Sequence, residues 1–302
     1  MVFWFGGPKQ VAETEAEDEI ERVYHEIKQS LRVSGINLNF RTWAGFEKFF
    51  LLMWDAMRPL AETWAFENAA DEIRRESVNL AGKLGKIDAK AQVNLGESQK
   101  YQIKKALALY HYINPKLLVF TAKVKQALAG ETPQSSESPT NTVFIERGIP
   151  VPMYPMEMIA AEPEDKRLAA IFEDIKDTLS LSSINSDYRT LGLWPDYLDA
   201  AWHELKPIVL AEAYQKASDQ LRETAREQAK ALPAISLSKQ QIEDLGEDTD
   251  EILETTEKFE QLLPSLMINI SLLSLDWKPA DVLLTSPFPA ESKPTGQGGT
   301  GR

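Results

Sequence analysis

SSINSDYRT, Ser182 to Thr190, nearly repeats an earlier stretch, SGINLNFRT, Ser34 to Thr42. At an offset of 148 (184 − 36), Ile36 falls on Ile184, Asn37 on Asn185, Arg41 on Arg189 and Thr42 on Thr190, with Phe40 facing Tyr188. The copies part at one chemically significant place, where Asn39 is answered by Asp187. The register carries well beyond the motif, which separates a duplicated architecture from a chance match. VYHEIKQSL (Val23 to Leu31) lies over IFEDIKDTL (Ile171 to Leu179), Trp54 over Trp202, Pro59 over Pro207 and Arg74 over Arg222. Leu95-Gly96-Glu97 returns as Leu245-Gly246-Glu247 at an offset of 150 (245 − 95), as short insertions in loops would produce.

Helical spacing runs through both copies. Ile20, Val23, Tyr24, Ile27 and Leu31 recur at three- and four-residue steps, and Phe46, Phe49, Phe50, Met53 and Trp54 mark the buried face of a second helix. A third helix is expected from about Leu60 to Leu80, ended by Gly82 and Gly85. Another is expected over 98–112, halted by the breaker Asn114-Pro115 before a last one from Lys116 to Leu128. Alternating β patterns are scarce, so the fold class is all-α: two homologous helical repeats packed as a pseudo-dimer around a central site. The first repeat is placed at 1–129, a polar Pro/Ser/Thr-rich linker at 130–160, the second repeat at 161–285 and a disordered tail at 286–302.

With 302 residues, 43% of them hydrophobic, the chain has material for two ordinary cores or one fused one. A net charge of −13 excludes nucleic acid and anionic membrane surfaces as partners, since both need a basic footprint. The absence of cysteine removes disulfides, thiolate metal sites and cysteine nucleophiles. No apolar run nears the roughly 18 residues of a membrane span, and MVFWFGGPKQ lacks the pattern of a signal peptide, so the expected compartment is the cytoplasm. His25, His111 and His203 are too scattered to suggest a metal site, and no phosphate loop, nucleophile elbow or dinucleotide fingerprint occurs. No cofactor is expected.

Asp187 precedes a helical pattern, where an acid serves as an N-cap. Asn39 would cap as well, but only the aspartate can take a proton from water. The third helix carries a parallel asymmetry: Thr63 and Glu67, four residues apart, become Ala211 and Gln215 in the second copy. Asn114 before Pro115 is answered by Leu263 before Pro264. Taken blandly, these are a cap, a solvated acid and a helix stop. If they converge at the seam, they form one composite site with a single acid.

The order of these residues resembles the group I 2-haloacid dehalogenases, all-helical and internally duplicated, over about Asp18 to Pro289. SLRV (Ser30 to Val33), ENAADEIRRES (Glu67 to Ser77), YHYINPKLL (Tyr110 to Leu118) and SDYRTLGLWP (Ser186 to Pro195) carry the likeness. The resemblance implies a hydrolase that attacks the α-carbon of short 2-haloalkanoic acids of both configurations with water, inverts it and forms no ester on the enzyme. It assigns Asp187 as the base and Asn114 as a holder of the water. Thr63 and Glu67 fall at functionally required positions, and Ser186 lies near the substrate carboxylate. Family members can carry bulky aromatics where this chain has Gly35 and Leu38, so a larger or differently shaped substrate pocket is expected there. The partner is a small-molecule 2-haloacid, and the internal pair lessens any need for a homodimer. The competing reading is a helical scaffold, or a paralogue that binds another small carboxylic acid.

Overall fold

The computed structural model describes residues 10–131 and 143–293. Its first half comprises α1 (Asp18–Ser30), α2 (Leu38–Trp43), α3 (Glu47–Ala61), α4 (Trp64–Leu84) and α5 (Glu97–Leu128). The second half follows the same order in α6 (Lys166–Leu179), α7 (Ser186–Leu191), α8 (Pro195–Val209), α9 (Glu212–Ala231), α10 (Lys239–Leu245) and α11 (Thr249–Leu275), with the short α12 (Ala280–Leu283) added at the end. Among the described residues there is no strand, only two isolated bridges, Thr63 with Phe144 and Ile145 with Ser292. No described helix is long and apolar enough to cross a membrane.

The halves meet along α5 and α11, which pack on each other and are flanked by α4 and α9. From Leu109 to Val124 every residue of α5 is buried, the signature of a helix enclosed on all sides. The expected stop at Asn114-Pro115 is therefore wrong, because α5 passes through it unbroken. Pro115 has no N–H for the carbonyl of His111, four residues back, which ordinarily breaks or kinks a helix. Here the buried Arg74 supplies the missing donor, its Nε lying 3.0 Å from that carbonyl. The α11 helix likewise runs through Pro264, and Pro59 and Pro207 sit inside the last turns of α3 and α8.

Two further boundaries move. The third helix starts at Trp64, later than expected, because Thr63 caps it: its hydroxyl accepts from the Phe66 N–H at 3.2 Å and donates to the Leu60 carbonyl at 2.7 Å. It then continues past Gly82 to Leu84. Within the expected linker, residues 132–142 lie outside the described residues, and 143–160 run without helix over the first half and then onto α7, where Glu157 and Ile159 bond Thr190 and Arg189. Disorder from Ser286 is not what 286–293 show. Phe288 is buried edge-on to Tyr112, and Arg32 donates to the carbonyls of Phe288 and Pro289. Composition averaged over a polar segment hides one anchoring aromatic; residues 294–302 lie outside the described set.

Candidate active site

The short helices α2 and α7, which carry the repeated motif, begin at the seam. Their N-cap residues are Asn37 and Asn185, yet neither side chain caps, and neither Oδ1 has any partner. Asp187 is not a cap either, being the second residue of α7. All three line one buried cavity of about 20 Å3. Its wall pairs equivalent positions of the two copies: Asn37 with Asn185, Leu38 with Ser186, Asn39 with Asp187, Asn114 with Leu263, and Leu117 with Leu266, completed by Phe259 and Leu262. The cavity thus sits where the two copies mirror each other, and three exchanges make it chemically one-sided.

Asp187 is 2% exposed and accepts one hydrogen bond from a side chain, from Asn114 Nδ2 at 2.8 Å. Burial penalises the charged carboxylate, while Asn114 and the residue's own backbone N–H favour it. Burial wins, and the pKa is pushed up to about 7. Around it stands a set of buried polar atoms without partners: both amide atoms of Asn39, the Oδ1 atoms of Asn37, Asn114 and Asn185, and the Ser186 hydroxyl. Buried polar groups are ordinarily paired, so an unpaired ring of them is a ready cradle for a polar guest. A water needs about 10–15 Å3, so the cavity holds one. Among the described residues no group of His, Cys, Asp or Glu is placed to hold a metal ion.

Leu38, Asn185, Phe259, Leu262 and Leu266 also belong to the wall of a larger outer cleft of about 910 Å3, formed by the α6–α7 connection and the outer face of α11. The pseudo-equivalent approach on the other side is filled. Tyr110, the counterpart of Phe259, donates to the Ser186 carbonyl at 3.1 Å and bonds Thr190 Oγ1 at 2.7 Å. Residues of the 143–160 segment lie over it, with Ser34 donating to the Tyr154 carbonyl and Thr190 to that of Glu157. One approach to the inner cavity is therefore open and its twin is shut.

The sequence-derived residues divide accordingly. Asp187, Asn114, Ser186 and Leu38 come together at the inner cavity. Thr63 and Glu67 do not line it. Glu67, far from being a solvated acid, is buried against Lys116 at 2.5 Å, with Tyr112 and Arg32 completing the cluster. Burial draws the Lys116 pKa down to about 8 against the pull of Glu67. Since Lys116 lies two residues beyond Asn114, the pair fixes α4 to the part of α5 that presents Asn114. Gly35 does not line the cavity, and the room left by its missing side chain is taken, because a Cβ there would stand 2.9 Å from Met156 Cβ. The expected enlargement of the pocket at Gly35 is thus absent. Asn37, Asn39 and Asn185 were not singled out as site residues, although the identity of Asn37 with Asn185 across the repeat was the signal that could have marked them.

An all-helical, internally duplicated chain with one buried acid at its seam, its pKa raised by burial, defines a class of cavity enzyme. A family model described as halocarboxylic acid dehydrogenase DehI matches residues 34–188, just over half of the chain and spanning both copies of the motif. The chain belongs to the DehI family, that of the group I 2-haloacid dehalogenases. It is 29% identical over 276 residues to an (R)-2-haloacid dehalogenase of Pseudomonas putida, covering 87% of this chain and 90% of that one. It is 28% identical to a configuration-inverting 2-haloacid dehalogenase of Pseudomonas sp. (strain 113), over 72% of this chain and 73% of that one. Among solved structures, a D-2-haloacid dehalogenase in complex with L-LA superposes with a TM-score of 0.77 at 27% identity, covering 88% of this chain and 95% of the other.

Proposed function

We propose that this chain is a 2-haloacid dehalogenase that replaces the halide of a 2-haloalkanoic acid by hydroxyl in one step. The inner cavity holds the attacking water against Asp187 and Asn114. The acid sits at the junction with the outer cleft, its carboxylate accepting from the Ser186 hydroxyl and from Asn185 Nδ2. As the water oxygen forms its bond to the α-carbon, the halide leaves from the opposite side with the bonding electrons and the proton passes to Asp187. Backside attack inverts the carbon, and no ester forms on the enzyme. The observation that carries this reading is the 2.8 Å contact between Asn114 and Asp187 in a cavity sized for one water, with the acid lifted to about 7. A general base is most effective with its pKa near the working pH.

The (R) configuration is the first substrate, on the names of the relatives. The (S) enantiomer is the second reading, favoured by relatives described only as configuration-inverting. Halide release from D- and from L-2-chloropropionate tests both, with Asp187→Asn as control. A single turnover in H₂¹⁸O separates the mechanisms. Direct attack puts ¹⁸O into the hydroxy acid at once, whereas attack by the Asp187 carboxylate delivers ¹⁶O first. Release from neither enantiomer, or ¹⁶O in the first turnover, overturns the reading.

A further inference from the structure

Away from the catalytic seam, the N-terminal half of α5, the end of α11 and the segment after α12 enclose a separate cavity of about 160 Å3. Lys104 and Lys278 stand in its wall, both half-buried, and neither has a carboxylate within ion-pair distance among the described residues. They stand in a chain of net charge −13. Lys105 lies close enough to add to the field: it and Lys104 both act with burial to draw the Lys278 pKa down. Ser274 lines the same cavity, only 4% exposed, and its hydroxyl has no hydrogen-bond partner. The rest of the wall sets apolar Leu107, Trp277 and Leu283 beside polar His111, Thr285 and Ser286.

Two cations without a close ion pair beside a cavity, Lys104 feeling only the more distant Glu97, together with an unused buried hydroxyl and an apolar patch, are complementary to one kind of guest. We propose that this cavity is a second ligand site that binds a small organic monocarboxylate. The carboxylate lies between the Lys104 and Lys278 ammonium groups with the Ser274 hydroxyl donating to it, and the hydrocarbon part rests on Leu107, Trp277 and Leu283. Like-charged groups held near each other and partly out of water are costly when empty and become favourable when an anion neutralises them. Phosphate fits less well, because it has no apolar part to set against that patch. None of these residues lines the seam cavity or the outer cleft, so the site is independent of the catalytic reading.

The test uses the full chain, with benzoate as the probe and inorganic phosphate as the comparison. Calorimetric titration and thermal melts are run on the wild type, the double variant Lys104→Gln/Lys278→Gln and the single variant Ser274→Ala. Benzoate is expected to bind the wild type and raise its melting temperature, as any ligand selective for the folded state does. The double variant should lose at least tenfold in affinity and most of the melting shift, Ser274→Ala a smaller part of both, and halide release from 2-chloropropionate should stay within twofold of wild type. Because the substitutions relieve repulsion, the unliganded double variant should melt no lower than wild type. Undiminished benzoate binding in the double variant would place the ligand elsewhere, no binding by the wild type at millimolar benzoate would abolish the site, and tighter binding of phosphate than of benzoate would overturn the ligand class.

Discussion

Replacing Asp187 by asparagine should abolish turnover and, at the same time, make the protein more stable at neutral and alkaline pH. The carboxyl is lifted by burial from its ordinary 3.8 to about 7. Below pH about 4 both folded and unfolded chains carry the proton, and the group has its full stabilising value. As pH rises the unfolded chain ionises freely while the folded one resists, so stability falls until the folded group has itself titrated near pH 7, and is level thereafter. The gap of about three pH units, at about 1.36 kcal/mol each, sets the loss at about 4 kcal/mol as an upper figure. Asp187→Asn keeps the shape and lets Asn114 go on donating, and Asn39 already holds an amide in the equivalent place. The assay is the urea midpoint of wild type and variant at pH 4.5, 6 and 8, beside the pH profile of kcat/KM. The stability advantage of the variant should widen with pH, and the wild-type kcat/KM should climb through pH about 7 to a plateau. An advantage that is the same at pH 4.5 and pH 8 would mean that Asp187 is not desolvated, and the account of its basicity would fall with it.

Removing the Asn114 amide by Asn114→Ala takes away the one side-chain donor that favours the Asp187 anion. The acid limb of kcat/KM, its rise through pH about 7, should move to higher pH and the rate at pH 7 fall by about 10²-fold, as for other preorganised donors; an unmoved limb would dissociate the two residues. Lys116→Met leaves Glu67 buried with only the more distant Arg32 for a cation and should cost about 3–5 kcal/mol in chemical denaturation, whereas the double change with Glu67→Gln should recover a large part of that. No recovery in the double variant would show that packing, rather than charge, governs the cluster. Gly35→Ala drives a Cβ into Met156 and should destabilise by about 1–3 kcal/mol while leaving the enantiomer preference unchanged; a changed preference would return Gly35 to the substrate pocket.

The duplication and the helical class were legible because hydrophobic periodicity and a repeated register are properties of the chain itself. Asp187 and Asn114 were legible as exceptions within the repeat. The proline stop was misread for a physical reason: local signals weigh Pro115 by the hydrogen bond it removes, and the donor that replaces it, Arg74, lies 41 residues away in sequence (115 − 74) on another helix. The burial of Glu67 was hidden in the same way, since a lone Glu on a helical face reads as solvated until Lys116 and Arg32 are seen around it. The filling of the space at Gly35 by Met156 belongs to the linker, whose docking no periodicity announces.

Duplication alone would give a cavity with two equal sides, unsuited to a displacement that needs water on one face of a carbon and a leaving group on the other. Three exchanges in the wall break that equality. Aspartate in place of Asn39 would set a second carboxyl in the same buried space, where two like charges suppress each other's ionisation. The asparagine therefore keeps one titrating group in the cavity. Leu263 opposite Asn114 leaves a second amide out, and Ser186 opposite Leu38 puts a hydroxyl on the side of Asp187. The shut approach completes the polarity, since Tyr110 and the 143–160 segment fill the first-copy route while Phe259 leaves the second open. The direction of attack proposed for this chain thus rests on differences between copies, and the frame that holds them rests on what the copies share.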